Sequence, residues 1–78
     1  MAKYNKYNLV GQDGNEFSLM GYTSNALKRE GLGHLVKEMT EKAMSKDYNY
    51  LIAVCDEYVQ MANKAYAEKH PDEDEDDE

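Results

Sequence analysis

The chain has one cysteine, one proline, no tryptophan and no long apolar run. Each shortage excludes something. With Cys55 as the lone thiol, no disulfide can form within the chain. That removes the framework on which small secreted domains depend and fits a reducing compartment. The longest apolar run, Leu51-Ile52-Ala53-Val54-Cys55, is far short of the ~20 residues that a membrane span requires. Met1-Ala2-Lys3-Tyr4-Asn5-Lys6-Tyr7 holds no apolar stretch and does not read as a signal peptide. The expectation is a cytoplasmic protein that does not engage a membrane. Clustered basic residues are missing too, so direct binding to a nucleic-acid backbone is not expected.

What is present is acid and tyrosine. The net charge is −7, and residues 72–78 alone carry seven of the sixteen acids, leaving nine acids against nine lysines and arginines in the remainder. The acidity therefore belongs to a tail. Beyond Pro71 there is nothing apolar to bury, so residues 71–78 are expected to be disordered. Such a tail either solubilises the protein or competes for a basic surface by charge mimicry. Seven tyrosines in 78 residues is a high share, and tyrosine is a residue of interfaces.

The pattern between arm and tail predicts a mainly α fold. It reads as a small three-helix domain at 15–70, with an extended arm and turn at 1–14. Tyr7-Asn8-Leu9-Val10 has the character of a short strand. Asp13-Gly14-Asn15 lies in a turn-forming stretch. It either turns a hairpin into a second strand at Glu16 to Tyr22, or leads into a helix over 15–29 capped by Asn15. The helix is preferred, because Phe17, Met20 and Leu27 fall near one face. Gly31 suits the left-handed residue that ends such a helix. A second helix is expected over 32–44, where Leu32, Leu35, Val36, Met39 and Ala43 make one stripe. A third is expected over 47–69, capped by Ser45 or Asp47 and stopped by Pro71. Its stripe is Tyr48, Leu51, Ile52, Cys55, Tyr58, Val59, Ala62 and Tyr66.

Tyr50, Val54 and Met61 lie off that stripe, about a third to half a turn away. Either two partner helices cover both sets, or an apolar strip is exposed as an interface. A third helix ~34 Å long is much for two shorter helices to cover, and a homodimer would meet both difficulties.

Signals for chemistry are weak. Cys55 sits mid-stripe and reads as a core residue rather than a nucleophile. His34 and Glu38, four apart on a helix, lack the further ligands of a zinc site and read as a solvated pair. The turn at Asp13, Gly14 and Asn15 could offer backbone N–H groups to an anion at a helix start, but it has no lysine and serine of a phosphate loop. No cofactor and no metal is expected.

Two stretches carry a resemblance. Asp13-Gly14-Asn15 followed by Phe17, Gly21 and Ala26 resembles a pattern in small uncharacterised proteins of tailed phages and their prophages. There an aspartate-glycine-asparagine turn opens an apolar helix. Ser45-Lys46-Asp47-Tyr48-Asn49-Tyr50-Leu51 is similar to their serine-glycine-aspartate-tyrosine segment, with Lys46 in place of the usual glycine and Tyr50 in place of a frequent histidine. The resemblance spans roughly residues 7–60. It implies a phage-related origin and carries no activity or site residue with it.

The expected function is non-enzymatic binding of a host protein, as an inhibitor of a defence, transcription or replication component. Tyr50, Val54 and Met61 are the expected contacts. The alternative is a protein that sequesters a nucleotide or signalling molecule at a dimer interface, using the turn around Asp13, Gly14 and Asn15.

Overall fold

A computed structural model describes residues 6–9 and 11–70. Three α-helices follow one another: α1 (Glu16–Arg29), α2 (Val36–Ala43) and α3 (Tyr48–Lys69), with a 3-10 turn (Gly33–Leu35) leading into α2. The described residues contain no strand, so the hairpin alternative is excluded across Glu16 to Tyr22. The expected strand at Tyr7–Val10 does not form over Tyr7, Asn8 and Leu9, and Val10 lies outside the described residues. Residues 71–78, on which the disordered-tail expectation falls, lie outside them as well.

Helix boundaries follow from capping chemistry. The Asn15 side chain accepts the backbone N–H groups of Phe17 and Ser18 at 2.8 and 3.3 Å, satisfying donors that α1 otherwise leaves unpaired. Asp47 does the same for α3, accepting from Tyr50 N–H at 2.9 Å. Gly31 takes φ +78°, and its N–H and that of Leu32 donate back to the carbonyls of Lys28 and Leu27. This is the Schellman end, and the left-handed residue it needs is the reason for a glycine there. The stretch expected to be helical from residue 32 begins instead as a 3-10 turn, and neither Leu32 nor Leu35 makes a side-chain cap.

The three helices make an up-down-up bundle. The Tyr48 hydroxyl at the start of α3 donates to the Gly14 carbonyl just before α1. At the other end, Lys69 pairs with Glu30 just after α1. Hence α1 and α3 run parallel. Between them α2 returns along α3, with Glu38 and Lys42 both reaching Tyr58.

The core is Leu19, Met20, Ala26 and Leu27 of α1, Met39 and Ala43 of α2, and Leu51, Val54, Cys55, Tyr58, Val59 and Ala62 of α3. Tyr7 joins it from the arm at 4% exposure. Two expectations are corrected here. Phe17 is 71% exposed, since at 100° per residue it lies ~60° outside the edge of the buried face at Met20. Val54 is 2% exposed, because α2 packs on that side of α3, against Tyr58 one turn further on. The buried face of α3 therefore extends to Val54, while Tyr48 and Ile52, in the first turns of α3, are left at 39% and 36% exposure.

Candidate functional site

The expected site residues Tyr50, Val54 and Met61 do share one side of α3, but it is not an open strip. Val54 is buried, while Tyr50 and Met61 are half-buried against the core. Val54 is thus removed from the interface and belongs to packing.

Among the described residues the exposed large apolar side chains are elsewhere: Phe17, Met44, Tyr48 and Ile52. Topology places all four at one end of the bundle. Phe17 opens α1, three residues after the Gly14 carbonyl that Tyr48 holds. Met44 caps the C-terminal end of α2. Tyr48 and Ile52 lie one turn apart at the start of α3. This end is what sequence periodicity missed, because the helical stripe assigns Tyr48 and Ile52 to the core.

The turn at Asp13, Gly14 and Asn15 is also at this end, and its polar atoms bond within the fold. Asn15 N–H donates to the Asp13 carboxylate at 3.1 Å, the Asn15 side chain caps α1, and the Gly14 carbonyl accepts from Tyr48. The three residues act together as a turn and helix start.

A second cluster lies at the far end, and nothing in the sequence reading singled it out. Tyr7 donates its backbone N–H to the Asn63 side-chain oxygen at 2.7 Å, and the Asn63 amide donates back to the Tyr7 carbonyl at 2.9 Å. The Tyr7 phenol donates to Glu30 at 2.5 Å. Lys69 makes an ion pair with the same carboxylate at 3.2 Å and donates to the Glu30 carbonyl at 3.0 Å. Asn63 and Glu30 are 4% and 6% exposed. Burial pushes the Tyr7 hydroxyl up, and the Glu30 carboxylate adds to it, raising its pKa from 10.0 to about 12. Burial also pushes the Glu30 carboxyl up, but the bonds from Tyr7 and Lys69 together outweigh it, and the net shift is downward from 4.5.

Two signals in the sequence point to this cluster. Asn63 stands four residues after Val59 on the apolar face, where a polar group demands a partner. Glu30 sits at the C-terminal end of α1, where the helix dipole disfavours an acid.

The remaining candidates are packing and surface groups. Cys55 is fully buried, and burial raises its thiol pKa against a smaller lowering by the Thr23 hydroxyl. His34 is exposed, and Glu38 accepts the Tyr58 hydroxyl at 2.5 Å. Among the described residues no group of three metal-ligating side chains comes together, no pocket opens, and no helix is long and apolar enough to cross a membrane. Compared with family models, curated proteins and solved structures, the chain matches none.

Proposed function

We propose that this is a non-enzymatic protein of phage or prophage type that binds a host protein and inhibits it. The observation that carries the reading is the apolar end of the bundle, where Phe17, Met44, Tyr48 and Ile52 stay exposed although a small domain has every reason to bury such groups. Aromatic and methionine side chains of this kind form the energetic centre of protein interfaces. The phage assignment rests on the resemblance of the turn at Asp13, Gly14 and Asn15 and of the segment from Ser45 to Leu51. The turn's part in binding is to hold Tyr48 in place through the Gly14 carbonyl. The seven acids of residues 72–78 assist by drawing in a partner with a basic rim, an effect screened over ~8 Å at physiological ionic strength.

The test is affinity capture from host lysate with mass spectrometry, using the full chain, a Phe17→Asp/Ile52→Asp variant, and a truncation ending at His70. The expected result is a partner that the full chain retains and the double variant loses, and whose binding to the truncation is weaker only at low salt. The same partner must then be reconstituted with purified protein. Retention by Phe17→Asp/Ile52→Asp overturns the apolar-end reading. Loss on truncation alone points to charge mimicry by the tail. A nucleotide that co-purifies and raises the melting temperature favours the ligand-sequestering alternative instead.

A further inference from the structure

The seat of Lys6, Tyr7 and Asn8 between α1 and α3 has the form of a recognition site. Asn63 pairs with both the N–H and the carbonyl of Tyr7, as an adjoining β-strand does when it binds an extended peptide. Glu30 takes the phenol. Tyr22 accepts the N–H of Asn8 at 2.8 Å, and the Lys6 ammonium stands 4.9 Å from the centre of the Tyr66 ring. Main chain, phenol and cation are each read by a separate group. Asn63 and Glu30 are more than nine-tenths buried.

None of these contacts depends on the segment belonging to the same chain. The groups that hold Tyr7 lie 23 and 56 residues away from it. The link between segment and α1, Gly11 to Asn15, is exposed throughout and turns at Gly11 with φ +89°. The sequence also carries the tripeptide twice in tandem, as Lys3-Tyr4-Asn5 and Lys6-Tyr7-Asn8. The first copy lies outside the described residues. Each chain thus offers one groove and two segments with the residues it reads.

We propose that the groove between α1 and α3 also binds the Lys-Tyr-Asn segment of a second copy of this chain, so that two copies can exchange arms. A second copy is the occupant because its segment is identical to the one already seated. In a single chain the tethered segment competes at an effective concentration on the order of millimolar. Exchange therefore shows where pairing within the chain is disabled.

Two full-length variants isolate the exchange. Tyr4→Ala/Tyr7→Ala has a spoiled arm and an intact groove. Asn63→Ala has an intact arm and a spoiled groove. Mixed in equal amounts, with one isotope-labelled, they should give a hetero-pair in native mass spectrometry that neither gives alone. The melting temperature of Tyr4→Ala/Tyr7→Ala should rise with the concentration of its partner, as binding to the folded state requires. A synthetic peptide of residues 1–10 should do the same, with a Tyr4→Ala/Tyr7→Ala peptide about tenfold weaker or more, through loss of the hydrogen bond to Glu30.

Peptide binding without a hetero-pair overturns the second-copy assignment and hands the groove to another protein's tyrosine segment. Absence of both overturns the proposal. Should either variant not fold, the wild-type chain decides. With an isotope-labelled wild-type peptide in excess of that millimolar effective concentration, peptide-to-protein cross-peaks between its tyrosine and the Asn63 amide, absent with the alanine peptide, support exchange, and their absence overturns it.

Discussion

Replacing Asn63 with alanine should unseat the arm. The side chain accepts one hydrogen bond from the Tyr7 backbone at 2.7 Å and donates another at 2.9 Å. Both are buried, so alanine leaves an N–H and a carbonyl without partners in a place that water does not reach. Each such group costs ~1–3 kcal/mol. Lifting the arm into solvent avoids that cost only by exposing the Tyr7 ring, whose burial is worth ~2 kcal/mol or more. The lesser of the two costs governs, giving a destabilisation of about 2–4 kcal/mol. A domain of this size holds ~4–12 kcal/mol in total, so the loss is a large fraction. At ~4–8 °C per kcal/mol it lowers the melting temperature by roughly 8–32 °C. Urea unfolding followed by circular dichroism measures it, with equal slopes for both proteins showing that the unfolded reference has not changed. An Asn63→Ala protein within ~0.5 kcal/mol of wild type, the range of an ordinary surface substitution, would falsify the view that this amide anchors the arm.

The pH dependence follows from the same cluster. Glu30 has a folded-state pKa below its ordinary 4.5, so its contribution is complete above that value and disappears as pH falls through the depressed one. Glu30→Gln should flatten the acid limb of the stability curve, and identical limbs would count against the assignment. Tyr7 shifts the opposite way, from 10.0 to about 12, so its contribution is complete below 10 and is lost as pH rises toward 12. Tyr7→Phe should remove that alkaline loss in the same titration. Two glycines should respond oppositely to one substitution. Gly21 sits within α1 with open space around its Cβ position, and Gly21→Ala should gain ~0.5–1 kcal/mol. Gly31 holds φ +78°, and Gly31→Ala should cost ~1–2 kcal/mol. Equal signs in thermal melts would refute the backbone argument. Finally, Cys55 should react slowly with a thiol reagent under native conditions, because burial raises its pKa and hides it. Rapid stoichiometric labelling would place it at the surface.

Helix existence and most helix ends were legible, because caps and terminators are local. Asn15, Gly31 and Asp47 announce themselves through side-chain chemistry that acts within a few residues. The direction in which each helix turns its face was harder to read. On α3 two apolar sets compete, and only the position of α2 shows that Val54 is covered, as only the end of the bundle shows that Ile52 is not. The same holds for Phe17, whose spacing from Met20 and Leu27 is helical yet whose azimuth falls outside the packed arc. The arm was the least legible. Tyr7 is buried through partners 23 and 56 residues away, and no periodicity within a short window encodes a pairing at that distance.

That separation has a consequence in time. The helices and their turns rest on contacts among near neighbours, which assemble early because short loops close cheaply. The bond between Tyr7 and Asn63 spans 56 residues and can only form once α1 and α3 already lie side by side. It should therefore be absent from the folding transition state. An interaction of that kind leaves the folding rate almost untouched and slows unfolding instead. The arm would then act as a brake on opening, and Asn63→Ala should shorten the lifetime of the native state while the protein folds about as fast as before.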